Sequence, residues 1–273
     1  MSEAGEYLNY DGFASIYDRT RVIPPDKIRE VVDMCGRSAR LKRSSGLFLD
    51  AGVGTGRFGA IMADAYPGRV VGVDVSTDML AQARVKSDTL NLVRGDLRRL
   101  PFPDCTFNGV LVVHILHLIE RWQSVIDELW RVIAKDGVLI LGAEQGGRSI
   151  LVDFYLQQAR GRNISTDNLG AGGLAQPLAY LRQKSPQGAI PRVELLSGPR
   201  LAWHRNVSVL ETIATLEARA FSQMRHIDET AHGELISATR NYARSTLGSL
   251  DAVENLEARF VLYAVYAGSR RNR

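Results

Sequence analysis

A short apolar run followed by closely spaced glycines constrains this chain more than any other stretch. Residues 47–56 read Leu-Phe-Leu-Asp-Ala-Gly-Val-Gly-Thr-Gly, which predicts a buried strand, an acidic residue at its end and a tight turn. Apolar residues then recur at helical spacing, at Phe58, Ile61, Met62 and Ala65. Glycines let the backbone approach a ligand closely, and the first N–H groups of a helix have no partners within it. This order of elements predicts a site for a nucleotide-type cofactor.

Two registers of the glycine turn predict different cofactors. Gly54, Gly56 and Gly59 fit the dinucleotide pattern G-x-G-x-x-G, with Asp74 twenty residues after Gly54. Counted from Asp50, the same stretch is D-x-G-x-G-x-G. A carboxylate at the strand end would repel a pyrophosphate, but it would attract a cofactor that carries sulfonium and ammonium charges. The Asp50 register is favoured, and the remainder of the chain must decide between the two.

Composition and charge indicate a globular protein of a reducing compartment. The net charge of the 273 residues is +4, which is mild. Basic residues cluster at 37–43, 94–99 and 270–273, but no aromatic residues are interleaved with them as a nucleic-acid stacking surface requires. The two cysteines form no C-x-x-C motif. The longest apolar run, 110–119, is too short to span a bilayer, and the N-terminus has no apolar signal segment. We therefore expect a cytoplasmic protein with no membrane partner.

Further apolar runs alternate with helical patterns and predict the fold class. The runs that indicate strands after the first one are 69–75, 90–93, 107–113, 138–142, 200–207 and 257–267. Helical periodicity follows Ser76 and recurs over 122–133, where Asp136-Gly137 predicts the turn into the next strand. Strands that alternate with helices predict a doubly wound α/β fold with a mostly parallel, seven-stranded sheet and an inserted cap segment.

The chain is predicted to have four segments. Residues 1–45 form an N-terminal helical arm, and its residues Phe13, Ile16 and Tyr17 either pack on the domain or fold over the cofactor. Residues 46–143 form the cofactor-binding core. The glycine-rich, weakly patterned residues 144–191 are expected to be a cap or lid that carries substrate choice. Residues 192–273 complete the sheet, and a capping box at Ser208-Val-Leu-Glu211 begins one of their helices.

The span from Asp50 to Gly142 resembles the core of class I methyltransferases that use S-adenosylmethionine (SAM), and it is most similar to the UbiE-like small-molecule group. The resemblance implies that Asp50, Gly52 and Gly54 hold the methionine part of SAM. It also implies that Asp74 binds the ribose hydroxyls, Met79 contacts adenine, Asp96 accepts a hydrogen bond from the adenine amino group and the Leu97 backbone contacts the ring edge. Val113 and Tyr17, the latter as part of the arm that would fold over the cofactor, are also predicted to bind the cofactor. The later stretch Glu128-Leu-Trp-Arg131-Val is also similar to the family.

Two histidines are candidate catalytic residues. His114 and His117 follow the fourth predicted strand, at the edge where such sheets place their chemistry. His114 is either a general base that faces the acceptor or a histidine that starts a helix. His117 matches a histidine that is frequent in the family, and a structural hydrogen-bonding role is preferred for it. A metal site is not expected, because no carboxylate or cysteine at suitable spacing joins the pair.

The resemblance implies that the protein moves a methyl group from SAM to a small-molecule acceptor by in-line displacement. No Asn/Asp-Pro-Pro-Tyr/Phe motif and no Pro-Cys pair follows the fourth strand, which disfavours two kinds of nucleic-acid methylation. Three alternatives stay open: an RNA methyltransferase, a SAM-binding protein or catalyst of the same fold that transfers no methyl group, and an NAD(P)-dependent oxidoreductase. Neither the acceptor nor the oligomeric state is indicated by the sequence.

Overall fold

The structure, a computed structural model, describes residues 14, 17–18, 23–43, 45–184 and 191–267. The helices are α1 (Pro25–Ser38), α2 (Gly59–Ala65), α3 (Thr77–Lys86), α4 (Trp122–Val132), α5 (Ile150–Gly161), α6 (Ala175–Lys184), α7 (Val209–Glu217) and α8 (Glu229–Leu247). The strands are β1 (Leu47–Ala51), β2 (Val70–Asp74), β3 (Asn91–Arg94), β4 (Phe107–Val113), β5 (Ile133–Gly146), β6 (Arg192–Leu195), β7 (Ala202–Ser208) and β8 (Val253–Tyr266). Phe13, Ile16 and the basic residues 270–273 lie outside the described residues.

The predicted doubly wound, mostly parallel sheet is confirmed. Seven strands follow one another in the order β3-β2-β1-β4-β5-β8-β6, and β7 pairs with β8 as an eighth strand. Strands β1 to β5 pair in parallel, whereas β6 and β7 are antiparallel to β8. The strand order reverses between β1 and β4. In sheets of this type a crevice opens at such a point, outside the carboxyl ends of the strands.

Local sequence patterns account for these elements. Strand β4 is almost entirely buried, as its uninterrupted apolar run predicted. Helix α4 places its apolar positions Val125, Ile126 and Leu129 in the core that it shares with the sheet. The predicted capping residue Ser208 accepts a hydrogen bond from the Glu211 N–H at 3.1 Å, and α7 begins there.

Strand β5 is longer than predicted, and the predicted turn lies inside it. The predicted strand covered 138–142, and the helix before it was expected to reach Ile133. In the structure Ile133 is the first residue of β5 and pairs with Phe107, while Val138 pairs with Gly109. The residues between Ile133 and Val138 therefore form an irregularity in the ladder, and this bulge contains the Asp136-Gly137 turn.

Contacts divide the chain into two compact units. The first comprises residues 1–143, 169–201 and 260–273, and the second comprises 144–168 and 202–259. The second unit contains α5, α7 and α8 around a core of its own that includes Tyr155, Leu156 and Leu235. The segment predicted as a cap, 144–191, is thus divided between the two units, and its lid function stays a prediction. None of the helices in the described part of the chain is long and apolar enough to cross a membrane.

Candidate cofactor site and active site

An open cleft lies in the first unit, at the carboxyl ends of β1, β2 and β4. All residues predicted to bind the cofactor, with the exception of Asp50, line this cleft. They are Tyr17, Gly52, Gly54, Asp74, Met79, Asp96, Leu97 and Val113. Of the two candidate catalytic histidines, His114 lines the cleft and His117 does not. Residues that are far apart in the sequence are therefore brought together here, although their contacts with a cofactor stay predictions.

The glycine turn leaves room for a ligand at one position. Gly54 has a φ of +53°, and a Cβ atom added to it would meet no atom within 4 Å. Since Gly54 lines the cleft, that open space is the space a ligand would occupy. Gly56 has a different role, because a Cβ atom there would lie 3.0 Å from the Ala83 side chain of α3. The third glycine of the motif therefore serves packing.

Asp74 ends β2 with its carboxylate held in place by backbone donors. The Gly54 N–H donates to Oδ2 at 2.8 Å, and the Ser76 N–H donates to Oδ1 at 3.0 Å. The Ser76 hydroxyl caps α3 by accepting from the Met79 N–H at 3.2 Å. A carboxylate oxygen has two lone pairs and can therefore accept more than one hydrogen bond. The arrangement fits a diol that donates one hydrogen bond to each oxygen, as the ribose of SAM does in the predicted site.

Asp96 is held by a neighbour that the sequence analysis did not single out. The Arg98 backbone N–H donates to Oδ1 at 2.8 Å, and the Arg98 guanidinium donates to both oxygens, at 2.7 Å for its closest contact with Oδ2. Three donor groups occupy three of the roughly four lone-pair sites of a carboxylate. The Nε–H is shared between the two oxygens, so the carboxylate can accept one more hydrogen bond, which matches a single N–H of the adenine amino group.

Asp50 lies beneath the glycine turn and is 4% exposed. Its Oδ2 accepts no hydrogen bond from the described residues. Burial raises the pKa of Asp50 to about 7, the nearby backbone N–H of Gly59 opposes this rise, and the carboxylate of Asp74 adds to it. Asp74 suits the ribose of either cofactor, but a carboxyl group at Asp50 would repel a pyrophosphate and attract a sulfonium or ammonium group. The residues present therefore fit SAM better than a nicotinamide dinucleotide.

The N-terminal segment contacts the glycine turn through Asp18. The Thr55 hydroxyl donates to Asp18 Oδ1 at 2.8 Å, and Arg57 and Lys86 form ion pairs with the same carboxylate. Burial raises the pKa of Asp18, but the hydrogen bonds from Lys86 and Thr55 and the charges of Lys86 and Arg57 outweigh it, so that the pKa lies below its usual 3.8. Tyr17, which lines the cleft, lies under the Arg57 guanidinium at 5.4 Å. No sequence signal links Asp18 with Thr55.

The two candidate catalytic histidines have different surroundings. His114 directly follows β4 and lies in the left-handed backbone region, with a φ of +52°, and its ring packs edge-on against Phe260 at 6.3 Å. Residues other than glycine rarely adopt this conformation, and such strain clusters at functional sites. His117 lies in a short 3-10 helix (Leu116–Leu118), and its backbone oxygen accepts from the Gly170 N–H at 3.0 Å. The geometry thus favours His114 as the residue that faces a ligand.

Comparison with known proteins agrees with this geometry. Residues 49–141 match a family described as a methyltransferase domain. A demethylmenaquinone methyltransferase of Thermus thermophilus is 31% identical over 118 residues, which cover 41% of this chain and 51% of that protein. The ubiquinone/menaquinone biosynthesis C-methyltransferase UbiE of Desulfotalea psychrophila is 32% identical over 133 residues, which cover 45% and 54%. The chain thus spans about half the length of these curated relatives.

Among solved structures, the YcgJ protein of Bacillus subtilis aligns with a TM-score of 0.55 at 16% sequence identity, covering 87% of this chain and 99% of that one. This similarity shows the fold alone. The family match covers the segment that contains the glycine turn, Asp74, Asp96 and His114. Residues 49–141 therefore match a methyltransferase domain and the chain is similar to UbiE-type relatives, and the cofactor of class I methyltransferases is S-adenosylmethionine.

Proposed function

We propose that this protein transfers a methyl group from SAM to a small-molecule acceptor. The observation that carries the proposal is the single cleft that gathers Gly54, Asp74, Met79, Asp96 and Leu97 at the carboxyl edge of the sheet. These residues offer a glycine turn for the methionine part, a carboxylate for the diol, an apolar side chain for the adenine face and an acceptor for the amino group. The oxidoreductase alternative is disfavoured by the buried carboxyl group of Asp50 below the turn.

SAM supplies a methyl group bonded to a positively charged sulfur, which needs only an aligned nucleophile for displacement. The described residues orient the cofactor: Asp74 fixes the ribose, and Asp50 stabilises the positive end through its negative charge. Tyr17 and Val113 cover apolar parts of the cleft and exclude water. Alignment of this kind lowers the barrier because the reacting atoms no longer have to be brought together by diffusion.

We further propose that His114 acts on the acceptor, as a general base wherever the acceptor carries a weakly acidic proton. It lines the cleft at the end of β4, whereas His117 is assigned a structural role. The names of the similar proteins point to quinones, so a demethylmenaquinone analogue is the first acceptor to test. A cytoplasmic location and the absence of a nucleic-acid partner belong to the same proposal.

Binding and turnover separate the proposed function from its alternatives. Calorimetry of the purified protein should show SAM binding and no NADPH binding, and incubation with an acceptor should release S-adenosylhomocysteine. Tight NADPH binding without SAM binding would support the oxidoreductase instead. The RNA methyltransferase would be supported if the protein binds SAM, methylates no small acceptor, methylates RNA, and binds RNA with a steep salt dependence. SAM binding without turnover on either class would indicate a protein that uses SAM without transferring its methyl group.

Two glycine variants localise the binding to the cleft. Gly54 and Gly68 both have positive φ angles, +53° and +73°, and a Cβ atom at either would meet no atom within 4 Å. Only Gly54 lines the cleft. Substitution by alanine strains both turns to a similar extent, so Gly68→Ala is a matched control for Gly54→Ala. We expect Gly54→Ala to weaken SAM binding by more than about tenfold and Gly68→Ala to leave it unchanged.

A further inference from the structure

Two charged residues of α4, Glu128 and Arg131, contact the loop that carries Asp96. The loop leaves β3 and passes through Asp96 and Leu97, which line the cleft. It then continues through Leu100, which is 4% exposed, and Phe102, which packs against the core of the first unit. The two α4 residues that hydrogen-bond to this part of the loop belong to the motif Glu128-Leu-Trp-Arg131-Val.

Glu128 holds the loop at one backbone donor. Its Oε1 atom accepts from the Leu100 N–H at 2.7 Å. Arg131 donates to both Glu128 oxygens, with Nε at 2.9 Å from Oε2 and Nη2 at 2.7 Å from Oε1. The hydrogen bond from Arg131 lowers the pKa of Glu128 below its usual 4.5. The carboxylate is therefore ionised and oriented by the guanidinium before any ligand binds.

Arg131 holds the same loop at two backbone acceptors. Its Nη1 atom donates to the Phe102 carbonyl at 2.9 Å, and its Nη2 atom approaches the Leu100 carbonyl at 3.3 Å. The Nη1 atom also contacts Asp104 Oδ1 at 2.6 Å. The planar fork of arginine makes these contacts in one geometry, which a lysine ammonium cannot reproduce. Main-chain groups at residues 100 and 102 are thus fixed to α4 by side chains alone.

The backbone groups that Glu128 and Arg131 hold lie close in sequence to Asp96, the hydrogen-bond acceptor that the predicted cofactor site requires. Leu100 is four residues beyond Asp96, and a short turn joins them, in which the Arg99 N–H donates to the Asp96 carbonyl at 3.0 Å. The pair Asp96–Arg98 lies within this turn and leaves one acceptor site on the carboxylate. A hydrogen bond to one remaining site depends strongly on direction. A shift of the loop would therefore misdirect it.

We propose that Glu128 and Arg131 are positioning residues that set the orientation of the Asp96 carboxylate, and hence the selectivity of the site for a 6-amino purine. The inference rests on the proposed function, because it takes the ligand to be an adenosyl compound. Neither residue lines the cleft. Both act through the backbone of residues 100–102.

The proposal is tested by comparing two ligands that differ at one group. S-adenosylhomocysteine carries the 6-amino group, and S-inosylhomocysteine carries an oxygen there. Wild-type protein should bind the adenosyl ligand at least about tenfold more tightly, because a hydrogen bond to a carboxylate discriminates by roughly 10- to 100-fold. In Arg131→Lys we expect this ratio to fall to about threefold or less, through weaker binding of the adenosyl ligand alone.

Two further variants keep the test decisive. Glu128→Gln retains an oxygen that can accept from the Leu100 N–H, so it should keep more of the selectivity than Glu128→Ala. Arg162→Lys is the matched control, since Arg162 pairs with Glu234 at 2.8 Å in the second unit. It should leave the ratio unchanged. Thermal melts of each variant confirm that the chain is folded before its affinities are compared.

The outcomes distinguish this inference from the proposed function. An unchanged ligand ratio in folded Arg131→Lys would overturn the positioning role, and so would an equal loss of affinity for both ligands, which indicates a purely structural role. Equal affinity of the wild-type protein for the two ligands would show that Asp96 does not recognise the amino group. Failure of the wild-type protein to bind either ligand would overturn the proposed function itself, and this inference with it.

Discussion

Asp50 is expected to make the first unit less stable than it would be with a neutral residue at this position. The carboxyl group is buried, and its Oδ2 atom accepts no hydrogen bond from the residues that the structure describes. Burial raises its pKa to about 7. The folded protein therefore keeps a proton that the unfolded chain loses above about pH 4. Stability should decline as the pH rises from about 4 to about 7 and level off above it.

The size of this effect follows from the pKa shift. The pKa rises from 3.8 to about 7, which is about 3 units, and each unit corresponds to about 1.4 kcal/mol. Ionised Asp50 therefore costs up to about 4 kcal/mol of unfolding free energy at pH 8. Asp50→Asn removes the charge and keeps the shape. We expect the variant to be more stable than the wild-type protein by up to about 4 kcal/mol near pH 8 and by only about 1–2 kcal/mol near pH 5, where the pH has passed little more than one of the three units.

Urea denaturation of both proteins at the two pH values measures this difference. Asp136→Asn, a change at an exposed carboxylate, serves as the control and should show no pH-dependent difference. An Asp50→Asn effect that is the same at pH 5 and pH 8 would refute the reasoning, because Asp50 would then not titrate between them. The same variant should bind SAM more weakly, since the negative charge that destabilises the empty site attracts the cofactor.

Four further predictions concern other contacts. His114→Asn should keep SAM affinity, because asparagine tolerates a positive φ. If the His114 ring is the base, the variant should lower kcat by about 100-fold or more; unchanged turnover would exclude that role. Asp18→Asn should speed SAM release by about two- to fivefold in stopped-flow measurements, and an unchanged rate would show that its ion pairs do not retain the cofactor. Tyr155→Phe removes the 2.6 Å hydrogen bond to His232 Nδ1 and should cost roughly 1–3 kcal/mol. Because burial and then the charge of Arg219 lower the pKa of His232, amide protection in α8 should fall as the pH drops below 6.5; equal protection at pH 5 and pH 7.5 would contradict this.

The sequence predicted those parts of the fold that depend on local patterns. Strands β1, β2 and β4 are continuous apolar runs, and Asp50 and Asp74 lie at strand ends where the predicted sheet required them. The glycine turn was predicted because closely spaced glycines are typical of sharp turns. Because the carboxyl ends of parallel strands lie at one edge of the sheet, the strand ends alone indicated which residues lie close together.

Contacts between residues that are distant in sequence were not predicted. Asp18 binds Thr55 and Lys86, and Arg131 binds the carbonyls of residues 100 and 102. No periodicity encodes such pairs, because they depend on how two elements pack. The first part of β8 was missed for a related reason: residues 253–255 are polar or exposed, and they become a strand by pairing with β7.

The position of β8 has a consequence for how the chain acquires its structure during synthesis. Strand β8 lies between β5 and β6 in the sheet, although it follows both in the chain. Strands β1 to β5 can assemble as soon as they are made, whereas β6 has no neighbour until β8 arrives. Pairing over such a sequence distance slows folding. A chain interrupted before residue 253 would therefore lose an interior strand and leave the edge of β5 exposed to pairing with other chains.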